Sequence, residues 1–113
     1  MAGQEKQFEN KVRAYLNSIG AYVYKTMGGL FTKSGIADLL VCYKGYFIAI
    51  ELKAKDGKPS ALQIYNKKIV ERAGGISIIL YPKYFNKLKE FLKSLKPIDH
   101  TIYLDLEGIP VWA

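Results

Sequence analysis

Residues 35 to 53 read GIADLLVCYKGYFIAIELK, two apolar runs separated by the dipeptide Lys44-Gly45. A two-residue connection of this kind between β-branched and aromatic runs predicts a tight hairpin. With Lys44-Gly45 as the loop, Tyr43 pairs with Tyr46, and each step outward on one strand is matched on the other. Carried to the ends, this register sets Asp38 opposite Glu51, and Lys53, two residues on, shares their face. Two carboxylates placed directly opposite repel each other. A divalent cation between them reverses that sign, so the pattern predicts a metal site at the open end of the hairpin.

The 113 residues, half of them apolar, suit one domain spanning 1–113 with a single core. Seventeen Lys and Arg against ten Asp and Glu leave a net charge of +7, which points to a polyanionic partner such as nucleic acid or to an anionic membrane surface. Cys42, the only cysteine, lies inside an apolar run and is expected as a small core residue. One cysteine offers no disulfide framework, and the start MAGQEKQFENK has no hydrophobic signal region. Both features suit a cytoplasmic protein. No apolar run approaches the roughly 18–20 residues of a membrane span.

Phe8, Val12, Tyr15, Leu16 and Ile19 form a helical stripe over 5–19 that Gly20 ends. AYVYKT, residues 21–26, predicts a strand, and KTMGGLFTKSGI, residues 25–36, a long Gly-rich loop before the hairpin. Ser60-Ala61-Leu62-Gln63 has the form of a capping box, so a helix is expected over 60–73, burying Leu62, Ile69, Val70 and Ala73. ISIILY, residues 76–81, predicts a buried strand parallel to 46–53 across this helix. A third helix follows Pro82, burying Phe85, Leu88, Phe91, Leu92 and Leu95, and TIYLDLEG, residues 101–108, predicts a last strand. The expected fold class is α/β, a central mixed β-sheet flanked by helices.

Hydrolysis of a phosphodiester with metal assistance needs hard oxygen ligands, a group to handle water, and a cation near the developing charge. Asp38, Glu51 and the Leu52 carbonyl supply the oxygens for Mg²⁺ or Mn²⁺, and Lys53 handles the water. Lys25, Lys33 and Ser34 in the Gly-rich loop, with Lys55 and Lys58 beyond Lys53, form a candidate DNA track flanking the acids. Tyr22 and Tyr24 are candidates for base stacking, core or interface. His100, remote in sequence from the acids, is assigned no role.

The ordered set FENKVRAYLNSIG, GIAD, YFIAIELKA, SALQ and GG, covering residues 5 to about 81, resembles the PD-(D/E)xK nuclease superfamily. Within it the chain looks most like the small stand-alone VRR-NUC domains of phages and bacteria, with Holliday junction resolvases similar in layout. Ala37 stands where that family usually has proline before the first acid. The resemblance implies a restriction-endonuclease-like core and a Mg²⁺- or Mn²⁺-dependent endonuclease. It further implies a homodimer acting on branched DNA such as four-way junctions, with no small-molecule cofactor and no membrane partner. Glu9 then becomes a helix-borne acid of the metal site, with Glu5, one turn away, as its competitor. Gln63 becomes an active-site neighbour as well as a capping residue. A non-catalytic nucleic-acid-binding module and a sequence-reading restriction-type enzyme are the alternatives.

Overall fold

The computed structural model describes residues 3–27 and 35–99. Helix α1 (Gln4–Ser18) is followed by strands β1 (Tyr22–Lys25), β2 (Leu39–Tyr43) and β3 (Tyr46–Leu52). Helix α2 (Ala61–Arg72), strand β4 (Ile76–Leu80), a 3-10 turn (Pro82–Tyr84) and helix α3 (Phe85–Ser94) complete the described elements. The strands form one mixed sheet in the order β1-β2-β3-β4, antiparallel except for the β3–β4 pair. The expected strand over 101–108 lies outside the described residues.

The hairpin has the register its loop dictates. Tyr43 pairs with Tyr46 and Leu39 with Ile50. Lys44 and Gly45 both take positive φ, 53° and 91°, as a two-residue turn matched to strand twist requires. The Lys44 ammonium donates to the Leu95 carbonyl at 2.9 Å, and the Ile98 N–H donates to the Lys44 carbonyl. The hairpin tip thereby satisfies the open end of α3.

Strand alternation divides the sheet into two unlike faces. Leu39, Val41, Ile48 and Ile50 point to one face and join Val12 and Leu16 of α1 and Leu88 and Leu92 of α3 in a fully buried core. The other face carries Leu40, Cys42, Phe47 and Ala49, with α2 over part of it. Cys42 is therefore exposed, not core, because it alternates with the buried Val41.

The same division corrects three other expectations. Helix α2 buries none of its residues, and Leu62 is 55% exposed. It lies against the sheet margin, where Val70 packs near Phe47 and Gly75, and its sides remain open to solvent. Strand β4 is half-buried apart from Leu80, and among the described residues it forms an edge of the sheet. In α3, Leu88 and Leu92 are buried as expected, but Phe91 sits toward the outer side and is exposed.

Candidate active site

Asp38 stands immediately before β2, and the hairpin register points it at the end of β3. Its Oδ2 accepts the backbone N–H of Leu52 at 2.8 Å. A strand residue sends its N–H and C=O to the same edge, so the Leu52 carbonyl also leaves toward Asp38. The Asp38 main chain is fixed from β1: Thr26 donates its N–H to the Asp38 carbonyl at 2.9 Å, and its hydroxyl donates to the Ala37 carbonyl at 2.9 Å. Thr26 was not among the sequence-derived site residues; its position one past β1, paired with the start of β2, was the available signal.

Glu51 is buried, only 6% exposed. Gln63 Nε2 donates to its Oε1 at 3.0 Å, while its Oε2 has no hydrogen-bond partner among the described residues. Burial pushes the Glu51 carboxyl up to about 7, the Asp38 charge adds to the rise, and the Lys53 charge opposes it. An orphaned buried carboxylate oxygen beside a second carboxylate is a costly arrangement in the absence of a cation. The donor set is all hard oxygen, and two carboxylates suffice for Mg²⁺, which keeps several waters of its own. The residues fit a hard divalent ion.

Gln63 also completes the capping box that starts α2. Its N–H donates to Ser60 Oγ at 3.1 Å and its Oε1 accepts the Ser60 N–H at 2.8 Å. One amide side chain serves the helix end with its oxygen and Glu51 with its nitrogen.

Glu9 is buried at 8% exposure on the inner side of α1. Its carboxylate accepts from Lys25 at 2.7 Å, Lys6 at 2.9 Å and Arg13 at 3.5 Å. Burial acts to raise its pKa, but the hydrogen bonds and charges of Lys25 and Lys6 outweigh that and hold it below the usual carboxylate range. Among the described residues no group of three or more acidic, His or Cys side chains is placed to share a metal. Lys25, expected in the DNA track, is turned inward to Glu9. Lys55 and Lys58 are exposed, and Lys33, Ser34 and His100 lie outside the described residues.

A cleft of about 750 Å³ opens beside Lys53, between the first turns of α1 and the ends of β3 and β4. Glu5, Phe8 and Lys11 line it from the helix, and Lys53, Lys55, Tyr81 and Lys83 from the sheet end. Glu5 thus lines the same cleft as Lys53, whereas Glu9 faces Lys25. Lys11 and Lys83 were not picked out from sequence; the spacing of Phe8 and Lys11, three residues apart on one helix face, was the only local sign of the first.

The fold has a solved counterpart. A structure described as a VRR_NUC domain superposes with a TM-score of 0.67 over 82% of this chain and 98% of that one, at 20% identity. This chain has the VRR_NUC fold. The VRR_NUC likeness extends over nearly all of that domain, and the α/β core with a mixed sheet expected from the order of elements holds. No family model and no curated protein matches the sequence. Among the described residues no helix is long and apolar enough to cross a membrane.

Proposed function

We propose that this chain, as a single VRR_NUC-type domain over 1–113, is a Mg²⁺- or Mn²⁺-dependent endonuclease that hydrolyses phosphodiester bonds in branched DNA such as four-way junctions. The observation that carries the reading is the buried, unpartnered Oε2 of Glu51 set beside Asp38 with Lys53 at the same strand end.

In this reading Asp38, Glu51 and the Leu52 carbonyl hold the metal, which when bound supplies Lewis-acid stabilisation of charge on the phosphoryl oxygens. The protein's own groups do the rest. Gln63 fixes the Glu51 carboxylate through its Nε2 hydrogen bond. Thr26 and the Leu52 N–H fix Asp38. Lys53 orients the attacking water, and its ammonium opposes the negative charge that grows on the phosphate in the transition state. Glu9 holds Lys25 at the end of β1, one residue from Thr26; a direct bond from Glu9 to metal would require it to release Lys25.

A homodimer suits the sheet's second face. Tyr22, Cys42 and Phe47 form one cross-strand row there, and Tyr22 and Phe47 are 71% and 47% exposed. Tyr65 on α2 is 62% exposed. A patch of this kind on a small domain is candidate interface material, and two copies would present two sites to a symmetric junction.

The test is a cleavage panel of linear duplex, single-stranded, flapped and four-way-junction DNA with Mg²⁺, Mn²⁺ or EDTA. Cleavage of the branched substrates with metal is expected, together with its loss in Asp38→Asn while DNA binding is retained. No cleavage of any substrate with either metal would refute the reading. Site-specific cutting of plain duplex would favour a restriction-type enzyme.

A further inference from the structure

The cleft beside Lys53 contains two kinds of surface that one ligand class satisfies together. Four lysines line it, Lys11, Lys53, Lys55 and Lys83, against one carboxylate, Glu5. The Lys11 and Lys55 side chains make no ion pair or hydrogen bond among the described residues, and Lys83 is steadied at the rim with its ammonium 5.0 Å from the Tyr84 ring centroid. Between the charges lie aromatic side chains that are held in place. Phe8 meets Phe85 edge-on, with ring centroids 6.0 Å apart. The Tyr81 hydroxyl donates to the Gly57 carbonyl at 2.8 Å, and its ring meets Tyr84 edge-on.

Fixed aromatic faces between unpaired cations match a polyanion that also carries planar apolar groups. A B-form duplex keeps its bases stacked inside and offers such a surface mainly its phosphates. An unpaired strand offers phosphates to lysines and bases to rings. The volume, about 750 Å³, is in the range of small-ligand sites, enough for a short stretch of strand. We propose that this cleft binds unpaired nucleotides of a nucleic-acid strand next to the cleavage site, so that Lys11 and Lys83 select substrates with a frayed or single-stranded arm. The inference rests on the nuclease reading for its biological use, because Lys53 stands in both places. The binding itself does not depend on turnover.

The experiment measures binding in EDTA, where metal-dependent cleavage is absent, by fluorescence anisotropy with labelled oligothymidine, blunt duplex of equal charge, and unlabelled thymidine monophosphate as competitor. The double variant Lys11→Gln/Lys83→Gln is compared with Lys68→Gln/Lys93→Gln, which removes the same charge outside the cleft. The cleft variant is expected to weaken oligothymidine binding about tenfold relative to the control variant, with much less effect on duplex. Each lost phosphate contact flattens the salt dependence on a single strand by about 0.7 in log–log slope, so a change of about 1.4 is expected. Equal losses in the two variants, equal losses for single strand and duplex, or monophosphate binding as tight as the oligomer would each overturn the inference. Cleft-dependent strand binding with no cleavage under any metal would leave the site standing and refute only the nuclease reading.

Discussion

Replacing Glu51 with Gln tests the metal centre without using activity at all. The Glu51 carboxyl is raised from 4.5 to about 7 by burial and by Asp38. Between those values the native state binds more protons than the unfolded chain, so stability falls as pH rises through the window. At about 1.4 kcal/mol for each tenfold in proton affinity, full ionisation of Glu51 costs the metal-free fold roughly 3 kcal/mol. Gln at position 51 keeps a carbonyl oxygen for Gln63 Nε2 and turns an amide donor toward the place of the orphaned Oε2. At pH 8 in EDTA, Glu51→Gln is therefore expected to be more stable than the wild type by about 2–3 kcal/mol. For a domain of this size that is a rise in Tm of roughly 8–12 °C. At pH 4.5, where the native Glu51 is already protonated, the difference should nearly vanish.

Divalent metal supplies the second arm. A ligand that binds only the native state at a hundred times its Kd adds about 2.7 kcal/mol. Millimolar Mg²⁺ or Mn²⁺ should raise the wild-type Tm at pH 8 and shift the pH of maximum stability toward neutrality, while Glu51→Gln gains much less. Thermal melts from pH 4.5 to 8, with and without metal, give the answer. Equal melting of the two proteins at pH 8 in EDTA, or an equal gain from metal in both, would refute the reasoning.

Glu9 has the opposite sign: its lowered pKa contributes stability above about pH 4.5 that is lost as pH falls through the native value. Glu9→Gln should therefore lower stability at pH 7, by on the order of 1 kcal/mol for ion pairs to partly exposed lysines, and the loss should shrink as pH falls below 4.5, as denaturant melts across that range would show. Gly35 has φ +87°, and a Cβ there would lie 2.6 Å from the Leu62 carbonyl oxygen. Gly35→Ala is expected to lower stability by about 1–3 kcal/mol and to impair cleavage by displacing the approach to Asp38; a variant as stable and active as wild type would contradict this. Light scattering should give twice the chain's mass for the wild type and a monomer for Tyr22→Arg/Tyr65→Arg, with circular dichroism unchanged.

Much of the site was legible because it rides on the hairpin. Lys44-Gly45 fixes the loop, the loop fixes the register, and the register carries Asp38 to the end of β3 with no tertiary information. The same alternation, followed one residue further, would have put Cys42 on the face opposite Val41. Its apolar neighbours in sequence misled because both strand faces there are apolar, and only one of them is roofed by α1 and α3. Glu9 shares a helical stripe with Val12 and Leu16, so its burial was readable. Its partner Lys25 was not, since that contact spans sixteen residues and depends on how α1 packs against β1. The cleft is likewise assembled from segments remote in sequence, and no local spacing announces that Lys11 and Lys83 face one space.

Helix α2 raises a question that its lack of buried residues sharpens: what holds it at a definite position on the sheet. Its first turn contains most of the answer. Ser60 and Gln63 satisfy the helix end between themselves, the Leu62 carbonyl rests against Gly35 so closely that no side chain fits, and the Gln63 amide nitrogen donates to Glu51. That single turn therefore touches the segment leading to Asp38 and the carboxylate of Glu51 at once. A displacement of α2 that breaks the Gln63–Glu51 bond removes the donor that stabilises the ionised Glu51 carboxyl and leaves it facing the Asp38 carboxyl, an arrangement that a buried site tolerates poorly. The acid pair and the helix start thus hold each other in place, and the residues that set the metal site's geometry double as the anchor of the helix.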